Sequence, residues 1–336
     1  MKPITLLMLM LLAPFPIPDE SHAVRSGVES LVISKPITYK NLTIFPLTRK
    51  FTPATDYLSL DQAMKNDVLT IREVGSGEVN YVELRNSGNK PVLIMTGEMI
   101  SGAKQDRMLK DDILIPPKSE WLRVPVYCVE HGRWASVSPA FKSSGLVVPN
   151  ALRQRARITE KQSAVWDEIA ESQDRLGIVS STGTAIANYE DEDTKKMIAE
   201  YTERFHDMPK LVKNTVGICV ATGARIICVD IFASNSLLMK YWDKLLKSYV
   251  MDAMNEQRST IETNEVQSML DALAHAHHVS IGTPGLGSLF KIETDFGKGS
   301  ALIHKTNLVH MDFFPDVVFA DPEWHLDMRR DQRLND

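Results

Sequence analysis

The feature that most constrains this chain is that its apolar residues change period along its length. Residues 42–47, 68–74, 79–85, 92–96, 113–115 and 121–126 form short apolar runs, parted by turns such as Gly75-Ser76-Gly77 and Asn86-Ser87-Gly88-Asn89. Runs of that length between such turns predict strands. Ser59 and Gln62 have capping-box spacing, which predicts a short helix to about Lys65. From 150 onward the pattern becomes helical. One helix is expected over 150–174, with Ile158, Val165 and Ile169 on one face, and another from about 192 to Phe205. The hairpin 216–220/225–231 interrupts the helices, which resume over 236–256 and 264–277. In the 236–256 helix Leu237, Leu238, Tyr241, Leu245 and Tyr249 share one buried face. Strands 289–293, 300–304 and 308–313 close the pattern.

Strands in runs, then helices in runs, predict an α+β fold: a mainly antiparallel sheet with several helices packed on it. The hairpins from the two ends are expected to join one sheet, with the helices on one side. No repeat or linker divides the chain, so 24–322 is expected to be a single domain followed by a charged tail, 323–336.

Residues 1–23 are expected to be a removable export signal. Met1-Lys2 is followed by an apolar run from Ile4 to Leu12, then by Ser21-His22-Ala23, with small residues where a signal peptidase reads. That run is too short, and too soon interrupted by Pro14, Pro16 and Pro18, to span a bilayer. No later stretch is apolar enough to span, and no Cys follows the run to carry a lipid. The expected address is periplasmic or secreted, without stable membrane insertion after cleavage. A formal net charge of −5, evenly mixed, argues against a nucleic-acid partner, which calls for a basic excess. Three cysteines are too few for a disulfide scaffold. Cys219 and Cys228 flank the turn of a hairpin, where they can bond or remain two buried thiols.

Two segments carry the densest chemistry. In 97–107, Gly97 and Gly102 let a loop turn tightly, and Lys104 and Arg107 can hold an anion, Arg107 through two parallel N–H groups. In 126–134, Cys128 and Glu130 fall on one side of an extended segment, with His131, Arg133 and Trp134 close behind. Cys128 beside His131 suits a thiolate nucleophile as well as a buried small hydrophobe. His275, His277 and His278 sit at an expected helix end, where the dipole favours them; no carboxylate at metal-site spacing joins them, so no metal is expected. Gly282–Gly287 lacks the Lys-Ser/Thr of a phosphate loop. Arg153, Arg155 and Arg157 are expected to line the outer surface of an amphipathic helix. No motif calls for a cofactor.

The combination of Gly97-Glu98, Gly102-Ala103-Lys104-Gln105-Asp106-Arg107 and Cys128-Val129-Glu130-His131-Gly132-Arg133-Trp134 resembles an uncharacterised bacterial family, the ARG and rhodanese-phosphatase-superfamily-associated protein domain. Gln162-Ser163-Ala164-Val165-Trp166, Ser181-Thr182-Gly183, Asp230-Ile231-Phe232, the 245–253 helix and Leu308-Val309-His310 extend the likeness over most of the chain. Asp106 and His131 stand where the family more often has Asn and Gln. The family name implies association with ADP-ribosyl-hydrolase-type and rhodanese/phosphatase-type domains, and hence a small phosphorylated or nucleotide-like ligand.

Two functional readings follow. In the first, Lys104, Arg107 and Arg133 hold a small anion, Gln105 hydrogen-bonds it, Trp134 stacks on it, and Glu98 or Glu130 serves as acid or base if chemistry occurs. In the second, the protein is a non-catalytic component of the cell envelope, and the same Glu and Arg residues are buried ion pairs that fix the fold. A thiol-dependent enzyme using Cys128 is a third, weaker reading.

Overall fold

The computed structural model describes residues 21–54, 56–254 and 258–316. The apolar run 4–12 and the tail 323–336 lie outside them. The first elements are α1 (Ser21–Glu29), β1 (Val32–Ile33), β2 (Ile37–Tyr39), β3 (Leu42–Thr48), β4 (Leu58–Ser59) and α2 (Leu60–Lys65). The Ser59/Gln62 capping box forms as expected and starts α2. Next come β5 (Leu69–Glu78), β6 (Tyr81–Asn86), β7 (Val92–Ile94), β8 (Glu98–Gly102), β9 (Arg107–Leu109), β10 (Ile113–Ile115), β11 (Leu122–Cys128) and β12 (Phe141–Val147). The helical stretch holds α3 (Asn150–Thr159), α4 (Gln162–Leu176), α5 (Ile186–Glu190), α6 (Glu192–Phe205) and α7 (Met208–Leu211). The chain continues through β13 (Thr215–Thr222), β14 (Arg225–Phe232), α8 (Asn235–Ala253), α9 (Thr263–Ala274), β15 (His277–Ile281), β16 (Ser288–Thr294), β17 (Gly297–His304) and β18 (Asn307–Pro315).

The fold is α+β, and hairpins from both ends do join one large sheet, in the order β1-β3-β13-β14-β18-β17-β16-β15, with β2 also on the edge of β3. Pro46 has no N–H to donate, and it sits between the stretches of β3 that pair with β2 (42–44) and β1 (47–48), where only its carbonyl is used, accepting from the Ser34 N–H at 2.8 Å. Helices cover both faces of this sheet, not one. Along β3, Leu42 and Ile44 enter a core shared with α6 and α8, while Phe45 and Leu47 enter a second core shared with α1 and α9. Strict alternation across a fully buried strand produces both cores. It also sends Cys219 and Cys228 to opposite faces, where both thiols are free.

Two smaller sheets, β12-β8-β9-β11-β6-β5 and β10-β7-β4, enclose a third core with α2. All pairings are antiparallel except β4 with β7. Helix α8 joins the layers, and it is buried nearly all round, so its Lys244 is only 5 % exposed.

Three expectations need correction. The 150–174 helix is broken at Glu160, whose φ of +53° ends α3, and α4 restarts after it. Glu160 accepts from Lys291 and also faces Lys110, and these ion pairs hold the break in place. The last helix ends at Ala274, and His277 and His278 belong to strand β15, on alternate faces. A shared helical face for His275 and His278 therefore does not exist. Arg153 and Arg157 are not on the surface: four residues apart, they lie on the buried side of α3, while Arg155 is outside.

Among the described residues, no helix is long and apolar enough to cross a membrane.

Candidate functional site

The 97–107 segment, expected to be a loop, is the hairpin β8–β9. Met99 pairs with Met108 and Ile100 with Arg107, leaving 103–106 as the tip. Strand β11 pairs on the other side of β9 and sets Cys128 opposite Arg107. The tip turns at Gly102, whose φ is +111° and whose missing Cβ would lie 2.5 Å from Ser138 Oγ. Ser138 Oγ in turn accepts from the Ala103 N–H at 2.9 Å and donates to the Ala140 carbonyl at 2.8 Å. A side chain at 102 would collide with the residue that staples the tip.

Pairing of β9 with β11 brings the two motifs together. Arg133 grips Glu130 with two N–H groups, from Nε (2.9 Å) and Nη2 (2.5 Å), and also contacts Asp106 at 3.3 Å. Its Nη1 donates to the Ala103 carbonyl at 2.8 Å. Glu130 accepts the Asp106 backbone N–H at 3.0 Å, and Asp106 accepts from the Thr184 hydroxyl at 2.8 Å. Burial pushes the Glu130 carboxyl up, but Arg133 and these donors outweigh it and hold it below the usual range. Burial pushes Asp106 up, and its hydrogen bonds offset this only in part. Both oxygens of Glu130 are committed, so its role here is to orient the tip.

Gln105 donates to the Glu130 carbonyl at 2.8 Å and accepts from Arg107 Nη1 at 3.2 Å. Arg107 is fully buried, and its Nε and Nη2 have no hydrogen-bond partner. Burial lowers its pKa, and the charges of Glu73 and Asp106 offset this only in part. Glu73 accepts the Lys104 backbone N–H through one oxygen at 3.1 Å; its other oxygen is buried without a partner. The half-exposed Trp134 ring lies 6.0 Å from the Arg107 guanidinium and 4.9 Å from Lys104 Nζ, which also donates to the Ser76 carbonyl. Cationic donors stacked near an indole are attracted to its face.

Cys128 and His131 do not form a nucleophile–base pair. The thiol points to the Glu130 carbonyl at 3.2 Å, and burial pushes its pKa up. The His131 ring packs edge-on against Trp166 instead, 4.4 Å between centroids. Glu98 also stands apart from the cluster. It is fully buried and is held by Lys244 (2.5 Å) and the Met95 N–H (2.7 Å); Asp61 shares the same ammonium. Burial raises its pKa despite Lys244.

Two features escaped sequence reasoning. Arg153 pairs bidentately with Asp230 at 2.6 and 3.0 Å, and Arg157 bonds Asp111 and Asp312 at 2.7 and 3.1 Å. His310 lies between Asp112 (2.6 Å) and Asp230 (3.4 Å). This buried network ties α3 and the large sheet to the loop before β10. Its only sequence signal is the four-residue spacing of Arg153 and Arg157 on a helix. The second is a cavity of about 320 Å³ between α3, α4, β14 and the end of α8. None of the residues singled out from the sequence for ligand binding or catalysis lines it. Among the described residues, no three His, Cys, Asp or Glu side chains are grouped to hold a metal.

The scaffold and cluster together define a mainly antiparallel α+β protein with a charged cluster built into one hairpin end and its neighbouring strand. A family model matches residues 30–314, and the chain belongs to that family, the ARG and Rhodanese-Phosphatase-superfamily-associated Protein domain. No curated protein and no solved structure matches it.

Proposed function

We propose that the protein binds a small anionic compound, phosphorylated or nucleotide-like, at the β8–β9 tip, and that it does so outside the cytoplasm. The observation that carries this reading is Arg107. A guanidinium removed from water with two N–H-bearing nitrogens unpaired costs free energy, which the contacts with Gln105 and the Trp134 face return only in part. A phosphoryl or carboxylate group supplies the bidentate acceptor that such a fork fits. In this reading Gln105 sets the angle of the guanidinium, and Lys104 adds charge at the rim. Trp134 covers the site and stacks on the ligand after swinging aside. Arg133 and Glu130 serve as scaffold. The export reading rests on residues 1–23, and N-terminal sequencing of the mature protein after fractionation tests it: an intact Met1 on cytoplasmic protein refutes it.

The test of binding is a thermal-shift screen with nucleotides and sugar phosphates, run on wild type and on Arg107→Met. At least one such compound should raise the midpoint of wild type and leave Arg107→Met unmoved. Equal shifts in both proteins, or none in either, would sink the proposal.

The second reading, a non-catalytic envelope protein, draws support from the closed ion pairs Arg133–Glu130–Asp106 and Lys244–Glu98–Asp61. It predicts that Arg107 also stabilises the fold, so that Arg107→Met unfolds more easily than wild type.

A further inference from the structure

We propose that the cavity between α3, α4, β14 and the end of α8 binds a compact alkylammonium compound, with the ammonium on Asp252 and the hydrocarbon along Leu152, Ile169 and Ile227. This site is separate from the β8–β9 tip and does not depend on the reading given to it.

The volume, about 320 Å³, falls within the range of small-molecule sites. Asp252 accepts from Asn150 Nδ2 and from the Ala151 N–H, both at 3.0 Å, and among the described residues no basic side chain pairs with it. Arg175, which also lines the cavity, is engaged by Glu168 at 3.6 Å. Asp252 also lies in the last turn of α8, the end at which the helix dipole favours a cation. Two further buried oxygens among the wall residues, Asn188 Oδ1 and Thr222 Oγ1, have no hydrogen-bond partner. An ammonium group carries three donors and no acceptor, the complement of such a wall. The wall also carries Glu168 and Asp316 and the guanidiniums of Arg175 and Arg225, so the preference for a cation rests on Asp252 and on the unpartnered oxygens.

The charge on Asp252 adds a pH dependence. Burial raises its pKa to about 6 against the help of Asn150 and Ala151. The other charged groups at the cavity are Glu168 and Arg175 from α4, Arg225 from β14 and Asp316 after β18. Amine binding should therefore strengthen as pH rises through about 6, where Asp252 ionises.

Calorimetric titration of the full chain with hexylamine tests the proposal, with hexanol as the uncharged control. Hexylamine should bind above pH 7, more weakly near pH 5, and at least about tenfold more weakly to Asp252→Asn. Ala151→Phe, which fills the cavity, should abolish binding, and Arg107→Met should leave it unchanged. Hexanol binding as tightly as hexylamine would overturn the proposal, as would undiminished affinity in Asp252→Asn. Should Asp252→Asn fail to fold, Ala151→Phe decides: full affinity there refutes the site.

Discussion

Two arginines of the same hairpin neighbourhood show how differently one side chain can be used. Arg133 has its donors on Glu130, Asp106 and backbone carbonyls, so it is a stabilising brace. Removing it strands Glu130 as a mostly buried charge, and the loss expected for breaking such a pair is about 3 kcal/mol. Denaturant unfolding of Arg133→Ala should show a midpoint shift of that size. Arg107 is the reverse case. Its hydrogen bonds are only those to Gln105 and, at 3.4 Å, to one backbone carbonyl. Arg107→Met keeps the apolar stem of the side chain and removes the unpaired charge, so it should unfold at equal or higher denaturant, by up to ~1 kcal/mol. A loss of 2 kcal/mol or more, about the cost of breaking a satisfied buried contact, would favour the purely structural role.

At the scale of elements, the tip depends on a glycine more than on any charge. Gly102 combines a φ of +111° with a Cβ direction blocked by Ser138 Oγ at 2.5 Å and the Ala140 carbonyl at 3.1 Å. Gly102→Ala should cost ~2 kcal/mol, from left-handed strain together with a clash against Ser138 Oγ. It should also abolish the ligand-induced thermal shift, and Ser138→Gly should not fully restore stability, because the strain of the positive φ remains. The element boundaries also show what the sequence could and could not reveal. Long periodic segments were readable: β3, β13, β14, α6 and α8 lie within a few residues of where periodicity puts them. Strands β8 and β9 were missed because Gly97, Gly102, Lys104 and Asp106 read as loop residues. Their strand geometry comes from pairing with β11 and β12, which is information from distant parts of the chain. The break at Glu160 was missed for the same reason, since Lys291 stabilises it from 131 residues away.

For the whole molecule, the buried network around His310 joins what the three cores leave separate. Asp112 comes from the loop before β10, Asp230 from β14, Arg153 and Arg157 from α3, and Asp312 from β18. Burial alone would lower the His310 pKa, but Asp112 and Asp230 outweigh it and raise it from 6.5 to about 10. Its contribution to stability is thus fully present below the unfolded value of 6.5 and is lost as pH rises towards 10. Urea unfolding should show wild type weakening between those values. In His310→Gln the slope should flatten and stability at neutral pH should fall. A steep alkaline loss that persists in the variant would place the titrating group elsewhere. The network was nearly invisible in sequence, because Asp230, His310 and Asp312 are single polar residues inside apolar strands and meet Asp112 and the α3 arginines only in the folded chain. By contrast, the hairpin-end site was visible as two motifs, though not which arginine was braced and which was left unpaired.

The most direct measurement of the central claim observes Arg107 itself. Its Nε–H is buried and has no hydrogen-bond partner within the protein, and burial slows its exchange with water, so it should give an arginine side-chain proton–nitrogen resonance that is absent from Arg107→Lys. Addition of a phosphorylated compound that raises the thermal midpoint should move that resonance downfield, as expected when an N–H gains an anionic acceptor. If the compound stabilises the protein and the Arg107 Nε resonance does not move, Arg107 is not the anchor and the proposed anion site is wrong.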